Sequence, residues 1–517
     1  MTFEIVFVLL SLLGMVAALV ADKMRPGMIL FSVVVLFLCA GILTPKEMLE
    51  GFSNKGMITV ALLFLVSEGI RQSGTLGQVI KKLLPQGKTT VFKAQLRILP
   101  SVAFISAFLN NTPVVVIFAP IIKHWAKSVN LPATKFLIPL SYVTILGGIC
   151  TLIGTSTNLV VHGMILEAGF VGFSMFELGK VGIFIAIAGI IYIFLFSKRL
   201  LPDARPDTAV PDEEVEEGEK LHRVEAVLGA RFPGINKKLK DFNFQRHYGA
   251  EVKEIKTRNG QRFVTNLDDV VLHEGDTLVV MADDTFIPTW GESSVFVLLT
   301  NGNEPDTTGK KKRWFALLLL VLMIVGATVG ELPVTKEMFP DIKLDMFFFV
   351  SITTIIMAWT NLFPARKYTK YISWDILITI ACAFAISKAM VNSGVADSVA
   401  KFIIGLSDDY GPHVLLAMVF IITNLFTELI TNNAAAALAF PLALSISAQL
   451  GVSPTPFFVV ICMAASASFS TPIGYQTNLI VQGIGNYKFM DFVRIGLPLN
   501  IITFLISIIL IPLIWNF

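Results

Sequence analysis

The sequence predicts an all-α polytopic membrane protein: two inverted repeats of five transmembrane helices plus one re-entrant hairpin each, with a small α/β domain inserted between them. Three observations carry this reading. Apolar runs of about 17 to 25 residues recur along the chain, long enough to cross ~30 Å of hydrocarbon. Several motifs return at a fixed offset, the mark of an internal repeat. Charge is gathered in one central stretch, roughly 200–313. The 517 residues are 54% hydrophobic and 15% charged, against about a quarter charged in soluble domains, so the charge deficit sets the class more than the apolar excess does.

The expected crossings lie at about 3–21, 27–43, 57–72, 137–165 and 179–198, then at 313–330, 345–361, 375–391, 455–485 and 494–515. No small-residue cleavage site follows the first run, so it is expected to be a span rather than a secretory leader. Two further apolar segments, about 98–124 and 412–447, are interrupted by Asn-rich turns and read as hairpins that dip in and return. Basic residues follow the spans in a pattern that puts Lys81, Lys82, Lys123, Lys127, Lys198, Arg199 and Lys310 to Arg313 on one side. Under the positive-inside rule that side is the cytoplasm of a multi-pass protein of the inner cell membrane, with the insert cytoplasmic and both chain ends external. Cys39, Cys150, Cys382 and Cys462 all sit in apolar runs and read as core residues.

The repeat fixes the parse. Gly154-Thr-Ser-Thr-Asn158 matches Gly474-Tyr-Gln-Thr-Asn478, an offset of 320 residues, and Ser73-Gly74 matches Ser393-Gly394 at the same offset. Asn110-Asn111-Thr112, with Pro120 beyond, matches Thr431-Asn432-Asn433, with Pro441 beyond, at 321. Five crossings per half is an odd number, which forces the second half (313–517) to be inverted relative to the first (1–200). The insert, 201–312, opens on an acidic linker from Pro202 to Lys220. Its core, about 221–290, reads as strands Val224–Leu228, Ala250–Ile255, Arg262–Thr265 and Thr277–Met281, a helix Asn236–His247, and a hairpin turn at Asn259-Gly260.

The hairpin tips carry the chemistry. Asn and Thr cap helices and Pro suits a first helical turn, so Asn110-Asn111-Thr112-Pro113 starts a return helix at mid-membrane, and Thr431-Asn432-Asn433 starts its counterpart. Two helix N-termini meeting at the midplane attract an anion without a lysine or arginine. The anion is expected between Asn111, Thr112, Asn432 and Asn433, flanked by Thr155, Ser156, Tyr475 and Gln476. Gly147-Gly148 and Gly154 interrupt one span, Pro472 and Gly474 the other, freeing carbonyls for Na⁺. Ser106, Asn110, Asn111 and Gly154 are expected to line one sodium site, and Thr427, Thr431, Asn432 and Gly474 another. The plainer alternatives are asparagines that glue helices together and simple glycine kinks. Glu68, Lys388 and Glu428 lie inside spans, where charge is functional by default; Lys388 and Glu428 could pair, or the charges could be structural.

These tips and the Gly-Thr-x-x-Asn pattern at 154–158 resemble the divalent anion:sodium symporter family of dicarboxylate, citrate and sulfate carriers. Asn-Asn-Thr and Thr-Asn-Asn stand where that family has Ser-Asn-Thr. The resemblance implies an elevator movement in a homodimer. The insert, through Gly249 to Gly260 and Leu272 to Val280, resembles the C-terminal regulatory domain of TrkA-type and potassium-channel proteins, which implies a possible small regulatory ligand. Members carrying such an insert look most like sulfate permeases.

The expected function is therefore Na⁺-coupled transport of a small inorganic or organic divalent anion, with sulfate favoured because the bulkier Tyr475-Gln476 narrows one side. A Na⁺- or H⁺-coupled dicarboxylate carrier is the alternative, and a gated channel a third. No HExxH or GxSxG occurs, so an enzyme is not expected; neither is an organic cofactor or a nucleic-acid partner.

Overall fold

A computed structural model describes residues 3–21, 24–203, 222–229, 232–257, 261–283, 286–290, 295–300, 310–339, 341–405 and 411–517. Besides helices of one or two turns, the first half comprises α1 (Phe3–Ala21), α2 (Pro26–Cys39), α3 (Lys55–Gln72), α4 (Thr75–Leu83), α5 (Val91–Ser106), α6 (Asn111–Ser128), α7 (Leu137–Gly148), α8 (Ser156–Glu167) and α9 (Gly179–Leu200). The second half comprises α10 (Lys310–Gly330), α11 (Met346–Trp359), α12 (Trp374–Asn392), α13 (Val395–Gly405), α14 (Gly411–Leu429), α15 (Asn432–Leu450), α16 (Thr455–Ser466), α17 (Gln476–Gly485) and α18 (Phe489–Ile514). Among the described residues, seven helical stretches are long and apolar enough to cross a membrane: α3 with the short helix before it, α9, α10, α12, α14, α15 and α18. Five of these coincide with expected crossings, and α14 and α15 are the arms of the second expected hairpin. Of the other five expected crossings, α1, α2 and α11 are shorter apolar helices, and residues 137–165 and 455–485 are each divided into two helices of 10 to 12 residues, about 15–18 Å apiece at 1.5 Å per residue, roughly half a bilayer.

Helices pack reciprocally across the halves. α2 lies on α12 and α11 on α3; α6 lies on α17 and α15 on α8. The two segments expected as hairpins are each a pair of helices, α5 with α6 and α14 with α15, whose arms of 16 to 19 residues reach beyond the apolar runs. The two Ser-Gly pairs now have an explanation. Gly74 (φ 68°) and Gly394 (φ 75°) take the left-handed conformation that ends α3 and α12, which a Cβ would strain. Each turn leads into a short amphipathic helix, α4 or α13, that the apolar runs do not reveal. Leu76 and Ile80 in α4, and Val395, Ala400 and Ile403 in α13, bury the apolar face.

The insert has its own core, separate from that of the helices. Strands β1 (His222–Leu228), β2 (Glu251–Lys256), β3 (Arg262–Phe263), β4 (Thr277–Ala282) and β5 (Phe296–Thr300) form one antiparallel sheet in the order β3-β2-β4-β1-β5. β5 lies beyond the expected limit of 290 and pairs with β1. The expected helix at Asn236–His247 is corrected. Asn236 adopts φ 62°, Lys238 bridges to Val271, and only Phe244–Tyr248 is α-helical. Leu239, Phe242 and Phe244 instead feed an aromatic core with Phe232, Tyr248 and Phe296. The third strand is shorter than expected, and the Asn259-Gly260 turn lies outside the described residues.

The sheet sits directly on the helices. Lys123 Nζ of α6 donates to both carboxylate oxygens of Glu225 in β1, each at 3.0 Å, and Lys256 of β2 lies 3.5 Å from the same carboxylate. Thr277 of β4 packs against Gly483 of α17, where any Cβ would strike its hydroxyl.

Candidate functional site

Four helices begin at one place. α6 and α15 start at the two hairpin tips, and α8 and α17 start after the two breaks. Their first residues meet across the halves. The Thr112 hydroxyl donates to Gln476 Oε1 at 3.3 Å. The Tyr475 hydroxyl is 2.6 Å from the Asn111 amide and 2.9 Å from Thr155 Oγ1. Ser156 Oγ and Thr157 Oγ1 donate to Asn433 Oδ1 at 3.2 and 3.3 Å, and the Asn432 amide donates to Thr157 Oγ1 at 2.8 Å. The eight residues expected around the anion thus stand at these four helix starts, in neighbouring hydrogen-bonded groups. Asn111, Thr155, Asn433 and Tyr475 are buried, while Gln476 is exposed. A cleft lined by Ser67, Phe108, Asn110, Ser156 and Met323 opens beside the first tip.

The breaks are held by matching bonds. Asn158 Nδ2 donates to the Thr151 carbonyl at 2.9 Å, and Asn478 Nδ2 to the Thr471 carbonyl at 3.1 Å. Gly154 N donates to Thr151 Oγ1, Gly474 N to Thr471 Oγ1. The Thr151 hydroxyl bonds the Ala107 carbonyl, that of Thr471 the Glu428 carbonyl. Free backbone in hydrocarbon is costly unless so satisfied.

Around Asn111 the neighbours are nearly all acceptors. One end of its amide lies 2.8 Å from Ser106 Oγ, 3.1 Å from the Thr144 carbonyl and 3.2 Å from the Gly154 carbonyl; the other faces the Tyr475 hydroxyl. With nitrogen inward, the amide donates to these oxygens. With oxygen inward, it completes a set of four oxygens suited to a hard cation. Gly148 makes room for it, since a Cβ there would lie 2.6 Å from the amide. Ser106, Asn111 and Gly154 therefore come together as expected. Asn110 instead lines the cleft. The Thr144 carbonyl was not foreseen, because a backbone group leaves no residue-type signal.

The second cluster departs further from expectation. Asn432 is expected beside Gly474, yet its amide turns to Thr157. Thr427 Oγ1 donates to the Ala465 carbonyl at 2.6 Å, and the Thr427 carbonyl faces Ser468 Oγ at 3.3 Å. A Cβ on Gly474 would come within 2.5 Å of that carbonyl. Thr431 Oγ1 is buried with no partner. Thr157, which binds both second-tip asparagines, was missed, although the Thr-Asn pairs at 157–158 and 477–478 are identical in the two halves.

The intramembrane charges resolve differently from the suggested pair. No ion pair joins Lys388 to Glu428 among the described residues. The Glu428 carboxylate is held by Asn500 Nδ2 at 2.7 Å and Ser470 N at 3.0 Å, because α14 faces the second break and α18 rather than α12 at that level. Glu68 is forked by Arg71 through two bonds of 2.7 Å and also accepts from Gln72, a structural pairing one turn away on the same helix.

The profile of the citrate transporter family matches residues 16–447, and again 342–516. An uncharacterized transporter of Synechocystis is 30% identical over 94% of this chain and 93% of its own. An uncharacterized transporter of Escherichia coli K12 is 25% identical over the whole of both chains. A sodium/sulfate cotransporter of Chlamydomonas reinhardtii is 31% identical over 54% of this chain and 31% of its own. The chain is accordingly a multi-pass membrane transporter, and it belongs to the citrate transporter family.

Proposed function

We propose that the chain is a sodium-coupled symporter of a small divalent anion, sulfate above all, moving it by an elevator-type exchange of two inverted repeats within a homodimer. The observation that carries this is the meeting of four helix N-termini lined by neutral donors. Each terminus contributes roughly half an elementary charge, so four offset about two negative charges with no basic side chain, among the described residues, bonded to these groups. Sodium would take the Ser106 hydroxyl and the Thr144 and Gly154 carbonyls around Asn111, with the amide oxygen as a fourth ligand when it turns inward. The sulfate cotransporter relative supports the substrate and its coupling ion. The family's citrate transporters favour a second reading, a dicarboxylate or citrate-like substrate, which the exposed Gln476 side would admit. The insert would act as a TrkA-C-like cytoplasmic regulator, answering to a small ligand.

Uptake of radiolabelled sulfate and succinate into liposomes, with and without an inward Na⁺ gradient, tests the reading. Sulfate uptake that rises with the gradient is expected. Succinate uptake exceeding it tenfold moves the substrate to the second reading, and uptake of both that ignores sodium removes the coupling.

A further inference from the structure

The two tips are equivalent in sequence but use their asparagines differently. In the first half Asn111 fills the space beside Gly148. In the second, Ser468 stands at the position of Gly148 and Glu428 at that of Ala107, and Asn432, the equivalent of Asn111, has turned away to Thr157. The changes are complementary. Where an amide oxygen is withdrawn, a hydroxyl and a carboxylate are supplied.

Three oxygens converge there: the Thr427 carbonyl, Ser468 Oγ at 3.3 Å from it, and Glu428 Oε2 at 3.4 Å from Ser468 Oγ. The single Ser468 proton serves only one acceptor at a time. Glu428 Oε1 is already bound by Asn500 and Ser470 N, all neutral donors, and no basic side chain forms an ion pair with Glu428 among the described residues. Thr431 Oγ1, buried and unpartnered, is three residues further on. A carboxylate inside a membrane span is costly unless a charge compensates it.

We propose that Glu428, with the Thr427 carbonyl and the Ser468 hydroxyl, forms the second sodium site: a carboxylate site, where the first half uses an amide. This rests on the sodium-coupled reading above. It goes further in assigning the two sites different orders of filling. The Glu428 site carries its own negative charge and takes sodium before the anion arrives. The Asn111 site has only neutral ligands, so its sodium is favoured by the bound anion.

The test is equilibrium binding of ²²Na⁺ alone to the purified full-length protein, without anion. The wild type should bind sodium, and Glu428→Gln, which keeps the shape, should weaken that binding by about tenfold or more. Ser468→Ala should weaken it in the same direction by less. Wild-type affinity in Glu428→Gln overturns the inference. If Glu428→Gln does not fold, unchanged affinity in Ser468→Ala does the same. Sodium-dependent uptake that persists alongside such a result shows the inference alone to be wrong. A wild type that neither binds sodium nor depends on it sinks the coupling reading and the inference together.

Discussion

Replacing Gly148 by alanine probes the first cation cluster with the smallest possible change. The new methyl would stand 2.6 Å from one end of the Asn111 amide and 3.1 Å from the other. Ordinary contact needs ~3.5 Å, so the amide must retreat by about 1 Å. It is the far end of a side chain, and the retreat costs the bonds to Ser106 and Tyr475 more than it strains the backbone. Overpacking of this kind costs about 1–3 kcal/mol, which a folded carrier tolerates. The retreat also withdraws one oxygen from the cation. Loss of a ligand to a charged group costs about 1.5–3 kcal/mol, or 10- to 150-fold in affinity. The sodium concentration for half-maximal uptake should therefore rise by at least tenfold, with the melting temperature of the purified protein lowered by only a few degrees. Half two already carries the bulkier residue, Ser468, at this position, together with a displaced asparagine. A Gly148→Ala variant that folds and keeps the wild-type sodium dependence would show that Asn111 does not face the cation.

Two other perturbations separate the remaining roles. Thr112→Val keeps shape and removes the hydroxyl that lies 3.3 Å from Gln476; anion affinity measured by titration in saturating Na⁺ should fall about 10- to 150-fold, with sodium dependence little changed. Lys123→Met removes the charge that α6 offers to Glu225 and leaves the tip intact; limited proteolysis should cleave the insert faster, and uptake rate should change while substrate affinity in saturating Na⁺ does not.

Much of the site was legible because its parts are written twice. The Asn-rich tips and the Gly-x-x-Thr-Asn breaks recur at offsets of 320 or 321, and repetition of polar residues in apolar runs is hard to explain except by a shared task. What stayed hidden has three physical causes. Backbone groups such as the Thr144 carbonyl carry no side-chain signature. Helices α4 and α13 have too few apolar residues to register as spans, and only the left-handed Gly74 and Gly394 announce them. Side-chain direction is set by what lies opposite: Asn111 and Asn432 are the same residue at the same position, and Gly148 against Ser468 sends them to different partners. In the insert, the helix expected at 236–247 failed because Phe232, Phe242 and Phe244 are drawn into one aromatic core, and tertiary burial outweighs local helical periodicity.

The placement of the insert has a mechanical consequence for the site. Two of the four converging helices run from the anion network to the sheet. α6 begins at Asn111 and carries Lys123, which is clasped by Glu225; α17 begins at Gln476 and carries Gly483, pressed against Thr277. The Lys123 and Glu225 side chains are only 13% and 15% exposed, so the pair is screened far less than a surface bridge. Removing Lys123 leaves Glu225 with Lys256 at 3.5 Å, so the cost falls below the roughly 3–5 kcal/mol of breaking a fully buried pair. The close approach at Gly483 adds a steric condition, because any side chain there meets the Thr277 hydroxyl. The proposed elevator displacement of the tips would then either carry the sheet along or pull Lys123 away from Glu225. In the first case the insert is cargo of the moving part, and in the second it is a brake whose strength is the energy of that seam. In both, whatever reshapes the sheet near Glu225 and Thr277 acts on α6 and α17 at their far ends, one helix length from the residues that would hold the anion.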